Sequence, residues 1–371
     1  MAGPPQASDV LDALRPIIDP DFGKSIVDLG FVKNLAIEGG KVRFTIELTT
    51  PACPVKEQFE QAAQKRVAEL PGVESVEVEM TADTRGRHAQ AAASDADQPP
   101  VLPGVRNVLA VASGKGGVGK STVAVNIALA LRESGAKVGI FDADVYGPSL
   151  PLLTGVSGMP RTNEKRIFPH EALGMKLMSI GFFVTDQSPV IWRGPMVHGL
   201  IRQFLTDVEW GELDYLIVDM PPGTGDAVLT LTQMAPLSGA IIVTTANDLS
   251  LIDARKGLEM FRKVDVPVLG IVENMSYFTP PDLPDRKYYI FGEGGGRRVA
   301  DELSVPFLCE VPIDPRVVEG GDAGHPILMH APDSEPAKAL RELGGTIARK
   351  LAVLAEGGPP LADTNITWVN D

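Results

Sequence analysis

The sequence predicts an α/β protein, in which a mostly parallel sheet covered by helices on both faces follows a small α+β domain. Three observations support this prediction: short apolar runs alternate with longer helical stretches after residue 105, a stretch rich in alanine and proline precedes them, and the first 80 residues have their own pattern of strands and helices. We therefore expect a small domain at 1–88, a linker at 89–104, a large α/β domain at 105–356 and a tail at 357–371.

The small domain reads as alternating short elements. We expect a helix near 7–15, strands near 30–37 and 41–48, a helix near 54–70 and a strand near 73–79. Gly39 and Gly40 separate the first two strands as a hairpin turn would. Apolar residues recur at helical spacing after Pro54, a residue that favours the first turn of a helix.

In the large domain, several apolar runs are too short and too rich in β-branched residues to favour helix. Helical stretches separate these runs, which is typical of parallel strands joined by crossover helices. The strand candidates are Val108–Ala112, Val138–Phe141, Tyr215–Val218, Ala240–Thr244 and Val268–Val272.

Composition disfavours several classes of protein. The net charge of −14 opposes direct binding of nucleic acid, because affinity for phosphate backbones depends largely on Lys and Arg. The chain has two cysteines, Cys53 and Cys309, too few for a disulfide framework. No apolar run approaches the roughly 18 residues of a membrane span, and the first residues lack a secretory signal. We expect a cytoplasmic protein with neither nucleic acid nor membrane as a partner.

A phosphate-binding loop follows the first strand of the large domain. Residues 113–121 read SGKGGVGKS between the strand Val108–Ala112 and the helical stretch Thr122–Glu133. This run fits G-x-x-x-x-G-K-[ST] in its strand–loop–helix context and predicts a P-loop NTPase that binds ATP. The glycines let backbone N–H groups face phosphate oxygens, and the helix N-terminus adds partial positive charge. The expected nucleotide-binding residues are Gly114, Gly116, Gly117, Val118, Gly119, Lys120, Ser121 and Thr122.

Polar side chains of this loop and of a second strand are expected to hold the triphosphate and Mg²⁺. Lys120 should contact the β- and γ-phosphates, and the Ser121 hydroxyl should ligate the metal. The run LIVDMPPGTGD at 216–226 is an apolar strand that ends in Asp219, the expected Walker B carboxylate. Gly223 in the following loop can sense the γ-phosphate through its N–H.

Two carboxylates end another strand. Asp142 and Asp144 follow Val138–Phe141, which places them at the carboxyl edge of the sheet, where ligands bind in open α/β folds. One of them can orient an attacking water, and an acidic turn at a strand end is the structural alternative.

The loop resembles that of the deviant Walker A ATPases, which include nitrogenase iron protein and the Min and Par ATPases and whose loop reads K-G-G-x-G-K-[ST]. The resemblance implies that Lys115 crosses a homodimer interface to the partner's nucleotide, whereas residue type alone also allows a solvated lysine. It implies that Asp144 orients the water and that Asp142 supports the Mg²⁺ shell. Lys115, Lys120 and Asp144 are then the expected catalytic residues.

Asn274 follows the strand Val268–Val272, and its amide can hydrogen-bond the adenine base. The same resemblance supports this role and puts Pro312 to Asp314 beside the base. A plain turn asparagine is the alternative on residue type alone.

Longer phrases resemble the Mrp/ApbC family of iron–sulfur cluster carriers. They are FDADVYGPS at 141–149, WRGPM at 192–196, DMPPGTGD at 219–226 and VENMS at 272–276. The first domain resembles the small iron–sulfur-assembly domain often fused to that family, including TTPACP at 49–54. The resemblance implies an ATPase that carries clusters to apo client proteins.

One departure concerns the cluster itself. Many members of that family carry C-x-x-C after N-M-S-Y-F, and thiolates of two subunits hold a bridging [4Fe–4S] cluster there. Here Phe278 is followed by TPPD, so this bridging site lacks its ligands. Cys53, just before a predicted helix start, is the remaining candidate for transient cluster contact, and Cys309 reads as a buried thiol.

Two other functions stay open. The first is an ATP-switched adaptor that has lost the cluster and binds client proteins through nucleotide-dependent dimer shape. The second is a positioning ATPase of the Par or Min type, which needs a DNA-binding surface or a basic amphipathic helix. The negative net charge and the acidic tail offer neither.

Overall fold

The computed structural model describes residues 5–51, 56–82, 84, 101–163, 165–183 and 194–356. The chain divides into two compact units, one formed by Met1–Arg85 with Ala348–Asp371 and the other by Gly86–Ile347. No helix within the described ranges is both long and apolar enough to cross a membrane.

The described residues between 5 and 84 in the smaller unit form a three-stranded sheet, a short strand pair and two helices. Its elements are α1 (Ala7–Leu14), β1 (Ile18–Asp19), β2 (Lys24–Ser25), β3 (Val32–Glu38), β4 (Lys41–Leu48), α2 (Lys56–Ala68) and β5 (Ser75–Ala82). β4 is central, antiparallel to β3 and parallel to β5. Gly39 and Gly40 form the predicted hairpin turn between β3 and β4, with Gly39 at φ +62°.

Every second residue of the central strand β4 is apolar and buried, as expected where one face of a sheet covers a core, although Thr45 on the other face is buried too. Phe44 and Ile46 are fully buried with Phe59 of α2 and Val10 of α1 in one apolar cluster. The predicted elements of this domain occur within a few residues of their expected positions.

The larger unit is built around an eight-stranded sheet of order β10–β11–β7–β12–β6–β13–β14–β15. Only β10, at one edge, runs antiparallel to its neighbour. The strands are β6 (Val105–Ala112), β7 (Val138–Asp142), β8 (Arg161–Thr162), β9 (Ile167–Phe168), β10 (His170–Ala172), β11 (Met175–Ser179), β12 (Leu213–Asp219), β13 (Gly239–Thr244), β14 (Val268–Phe278) and β15 (Phe307–Ile313), where β8 and β9 form a separate pair.

Helices cover both faces of this sheet. Consecutive residues such as Val108 and Leu109 point to opposite faces, and both are fully buried. The helices are α3 (Lys120–Glu133), α4 (Leu150–Thr154), α5 (Gly194–Thr206), α6 (Asp226–Met234), α7 (Asp248–Lys263), α8 (Gly295–Glu302), α9 (Pro315–Asp322), α10 (Ile327–His330) and α11 (Glu335–Ala355). The predicted fold class is therefore confirmed.

Several strands differ from the sequence prediction. β14 continues to Phe278 instead of ending at Val272, because Glu273, Asn274 and Phe278 still pair with β15 across an irregular register. Asn274 thus lies inside a strand and does not follow it. The short strand β11 pairs in parallel with β7 and was not among the strand candidates.

Candidate functional site

The phosphate-binding loop connects β6 to α3 at the carboxyl edge of the sheet. Gly119 precedes α3 with φ +80°, a conformation that L side chains rarely adopt, and a Cβ there would lie 2.1 Å from Nδ2 of Asn274. A Cβ on Gly114 would lie 2.2 Å from the carbonyl carbon of Asp253 in α7. Gly116 and Gly117 are exposed, and a Cβ on either would meet nothing within 4 Å. The loop is therefore packed at two points and open between them, which fits a cradle for phosphates.

A buried ion pair lies below this loop. Nζ of Lys120 is 2.5 Å from Oδ1 of Asp219 and 3.2 Å from the Ser121 hydroxyl oxygen. Lys120 is 6% exposed and Asp219 is 2% exposed. Burial raises the pKa of Asp219 above its ordinary value, although the Lys120 ammonium and the Ser121 hydroxyl oppose that shift. The structure thus brings together the lysine predicted to contact the phosphates, the hydroxyl predicted to ligate Mg²⁺ and the predicted Walker B carboxylate.

Asp142 is a second buried carboxylate at the same edge. Its Oδ1 accepts the N–H of Asp144 at 3.1 Å. Its Oδ2 accepts the N–H groups of Ser149 and Leu150, each at 3.1 Å, and the Ser179 hydroxyl at 2.9 Å. Burial, followed by the negative charge of Asp219, raises the pKa of Asp142 to about 7. These bonds shape the segment that follows β7, and the role of Asp142 toward Mg²⁺ stays a prediction.

Asp144 stands in the turn after β7 and is partly buried. Its Oδ1 accepts the N–H groups of Tyr146 at 3.2 Å and Gly147 at 3.1 Å. The charge of Asp144 also raises the pKa of Asp219, so the two carboxylates are near enough to interact. The backbone N–H of Ala143, between Asp142 and Asp144, donates to the carbonyl of Asp219 at 2.9 Å and ties the two strand ends together.

Lys115 is half-buried within the loop, and in the part of the chain that the structure describes its ammonium forms no ion pair. Its carbonyl accepts the Ser113 hydroxyl at 2.9 Å. The N–H of Gly223, predicted to sense the γ-phosphate, donates to the carbonyl of Ser113 at 2.9 Å. A backbone hydrogen bond therefore connects the phosphate-binding loop to the segment after β12.

Asn274 contacts the phosphate-binding loop from β14. Its Nδ2 donates to the carbonyl of Val118 at 2.9 Å. A cavity of about 590 Å³ lies at the same sheet edge and is lined by Phe278, Pro312, Ile313, Asp314 and several prolines. The predicted adenine contacts of Asn274 and Pro312 stay predictions, since the amide shown here binds a backbone carbonyl.

The structure describes one of the two cysteines, Cys309. Cys53 lies outside the described residues. Cys309 is in β15, where burial, with smaller effects of Glu342 and Glu310, raises its pKa to about 12. This thiol is protonated at neutral pH and is a poor iron ligand, although Cys309 is only partly buried and not fully buried as the sequence predicts.

Several contacts of the site were not foreseen from the sequence. They involve Ser179 and the backbone of Ser149 around Asp142, and Asp253 against Gly114. Ser179 belongs to β11, whose sequence MKLMS gives no clear strand signal, so nothing local pointed to this serine.

Comparisons with known proteins agree with this geometry. A sequence profile described as NUBPL iron-transfer P-loop NTPase matches residues 104–348, and one described as iron-sulfur cluster assembly protein matches residues 7–80. The iron-sulfur cluster carrier protein of Synechocystis sp. is 52% identical over 354 residues, which cover 93% of this chain and 98% of that protein. The iron-sulfur cluster carrier protein of Deinococcus radiodurans is 45% identical over 347 residues, covering 93% and 95%.

A solved structure supports the same assignment. It is a nucleotide-binding protein from Archaeoglobus fulgidus in complex with ADP, with 40% identity, a TM-score of 0.56 and coverage of 63% of this chain and 91% of that chain. The P-loop profile spans more than half of this chain, and the two carrier proteins are matched over nearly their whole length. The chain therefore belongs to the family of NUBPL iron-transfer P-loop NTPases.

Proposed function

We propose that this chain binds and hydrolyses ATP with Mg²⁺ and, as a homodimer, carries iron–sulfur clusters to apo-proteins. The observation that carries the proposal is the grouping of Lys120, Ser121 and Asp219 behind an open phosphate-binding loop. The relatives named iron-sulfur cluster carrier proteins support the choice of cargo. A cytoplasmic location without nucleic-acid or membrane partners stays a prediction from composition.

The residues present fit a magnesium-bound triphosphate. Lys120 supplies positive charge for the β- and γ-phosphates, and Ser121 and Asp219 supply the oxygen atoms that Mg²⁺ prefers, directly or through water. Bound Mg²⁺ would neutralise charge that develops on the phosphate oxygens. Asp219 balances the charge of Lys120, and the pair keeps the lysine ammonium buried beside Ser121.

Asp144 is the residue we assign to the attacking water. Two backbone N–H groups hold its Oδ1, so the carboxylate has a defined direction. An oriented carboxylate can align a water by accepting its hydrogen bond. Lys115 is assigned to the nucleotide of the partner subunit, where a second positive charge would stabilise the transition state of phosphoryl transfer.

Exposed apolar side chains of α7, next to the phosphate-binding loop, support a homodimer. Leu249 and Ile252 project from α7 with 64% and 49% exposure, and the neighbouring Asp253 packs against Gly114 beside Lys115. Large apolar side chains exposed next to a functional loop are typical of an interaction surface. A second copy bound here would cover them and bring its own Lys115 to the face.

The chain offers few candidate ligands for an iron–sulfur cluster. Cys53 is the candidate ligand on sequence grounds, and the protonated thiol of Cys309 is disfavoured. The absence of cysteine at residues 279–282, directly after Phe278, favours transient carriage over a stably bridged cluster. It also supports the second candidate, an ATP-switched adaptor without a cluster.

Anaerobic reconstitution with iron and sulfide distinguishes the two candidates. For a carrier we expect cluster absorbance and transfer to an apo-acceptor, both lost in Cys53→Ser. Cys309→Ser, the matched cysteine variant, should keep them. If the wild-type protein hydrolyses ATP but neither assembles nor transfers a cluster, the carrier role is wrong and the adaptor is favoured.

A further inference from the structure

A buried serine supports the segment that carries Asp144. Ser179 ends β11 and lies directly opposite Asp142 in the parallel register of β11 and β7. Ser179 is fully buried, and its hydroxyl donates to Oδ2 of Asp142 at 2.9 Å. The same carboxylate oxygen accepts the N–H groups of Ser149 and Leu150. The Ser179 side chain on β11 thus adds a further hydrogen bond to the Asp142 carboxylate, which also accepts backbone N–H groups of the segment 142–150.

The direction of the Ser179 hydroxyl is determined by its second hydrogen bond. The N–H of Gly181 donates to Oγ of Ser179 at 3.0 Å, which uses the hydroxyl as an acceptor. A hydroxyl has one proton, so Ser179 must donate its single O–H hydrogen bond to the carboxylate of Asp142. Ser179 is therefore a fixed donor to Asp142, held by the first turn of the 3₁₀ helix Ile180–Phe182.

Gly181 supports the same segment by close contact. A Cβ at this position would lie 2.8 Å from Cγ of Pro151 and 3.1 Å from Cβ of Pro148. Such distances require the prolines to move, because real Cβ contacts of 2.8 Å do not occur. The missing side chain of Gly181 is what lets Pro148 and Pro151 pack on this turn.

These contacts lead from β11 to Asp144. Asp142 accepts the N–H of Asp144 through Oδ1, and Asp144 then accepts the N–H groups of Tyr146 and Gly147. We propose that Ser179 and Gly181 are positioning residues for ATP hydrolysis: they set the path of residues 142–150 and thereby the place of the Asp144 carboxylate. The inference rests on the proposed ATPase function.

Misplacement of Asp144 should affect the chemical step more than nucleotide binding, because the phosphate contacts come from the separate loop at 114–121. A displacement of about 1 Å can slow an enzymatic reaction by up to roughly 100-fold. We expect Ser179→Ala to lower kcat by about 10-fold and to leave the Kd for ADP with Mg²⁺ within about twofold of wild type. Gly181→Ala keeps the hydroxyl but pushes on the prolines, and we expect the same pattern.

Ser238→Ala is the matched control. Ser238 is also a buried serine, and its Oγ accepts the N–H of Val108 at 3.1 Å. It precedes β13 at the amino edge of the sheet, opposite the site. We expect a comparable loss of thermal stability with wild-type kcat.

The measurements are steady-state ATPase kinetics and titration with a fluorescent ADP, with Tm recorded for each variant. Wild-type kcat in Ser179→Ala or in a folded Gly181→Ala overturns the inference, as does an equal loss of kcat in Ser238→Ala. If Ser179→Ala does not fold, Gly181→Ala decides the question. A wild-type protein without ATPase activity overturns the proposed function and this inference together, whereas unchanged kcat in an active background overturns the inference alone.

Discussion

Lys120 is the buried positive charge of the site, and its ammonium contacts both Asp219 and Ser121. Lys120→Ala should weaken ATP binding by at least about 100-fold, or about 3 kcal/mol, because the phosphates lose their main cation. Isothermal titration calorimetry with Mg²⁺ measures this loss. Lys256→Ala, which removes an exposed lysine paired with Asp253 at 3.0 Å, should leave the affinity unchanged. Unchanged affinity in Lys120→Ala would show that the site is misplaced.

Lys115 presents the opposite case, a lysine without a described ion-pair partner. Lys115→Ala should keep ADP affinity within about twofold and reduce kcat by roughly 100-fold or more, because its charge acts on the partner's nucleotide in the transition state. Separate binding and turnover assays check this split. A fully active Lys115→Ala variant would contradict catalysis across the dimer.

Asp19 in the smaller unit predicts a pH dependence of folding stability that can be tested apart from the ATPase site. Burial, with a smaller contribution from the charge of Asp21, raises the pKa of Asp19 to about 6, although the N–H groups of Phe22 and Asp21 and the charge of Arg349 oppose the shift. A carboxyl with a raised pKa in the folded state binds its proton more tightly there than in the unfolded chain. Its stabilising contribution is therefore complete below about pH 4 and is lost as pH rises to about 6.

The variant Asp19→Asn tests this sign. Its amide oxygen can still accept the N–H groups of Asp21 and Phe22, which Oδ1 of Asp19 accepts at 2.9 and 3.1 Å. We expect the variant to gain stability relative to wild type by up to about 3 kcal/mol as pH rises from 4 to 6, with little further change above that. Calorimetric Tm values of both proteins between pH 4.5 and 8 measure the difference. A difference that does not depend on pH would rule out the shifted pKa.

At the scale of elements, the ends of two strands and the interior of a third meet at the phosphate-binding loop. β6 runs into the loop, β12 ends in Asp219, and β14 brings Asn274 to the carbonyl of Val118. Gly119 is the point where loop and strand touch, because a Cβ there would overlap Nδ2 of Asn274. The loop conformation therefore depends on an element 156 positions further along the chain.

Gly119→Ala tests that dependence. It should lower ADP affinity by at least about 10-fold, since the new methyl group displaces either the loop or Asn274. Gly135→Ala is the matched control, because Gly135 also has a positive φ, +96°, but a Cβ there would meet nothing within 4 Å. It should cost about 1 kcal/mol of stability and leave affinity unchanged. Equal affinity of both variants in titration would refute the contact.

The sequence predicted the elements next to its motifs better than the elements that complete the sheet. β6, β7, β12 and β13 have contiguous apolar runs and were expected close to their observed bounds. β11 was missed because its residues become strand only by pairing with β7. β14 was expected too short because its last residues depend on β15 for hydrogen bonds.

At the scale of the whole molecule, the exposed apolar residues of α7 predict association of two copies. Leu249→Asp should weaken ATP-dependent dimerisation by at least about 10-fold, because a charge would be buried at the contact. Val318→Asp on α9, where the side chain is also 64% exposed, should not change association. Sedimentation velocity with a non-hydrolysable ATP analogue compares the variants. A wild-type protein that stays monomeric with the analogue would oppose the homodimer.

The sequence by itself determined the fold class, the phosphate-binding loop and the family, because each of these depends on residues that are adjacent in the chain. Only the tertiary structure decided which side chains support them: Ser179 beneath Asp142, Asp253 against Gly114, and Asn274 on Val118. The physical reason is that such contacts join residues 37 to 156 positions apart, as with Ser179 and Asn274, and depend on strand register and packing. Register depends on the hydrophobic pattern of whole strands and on the turns between them, so a short motif does not encode it.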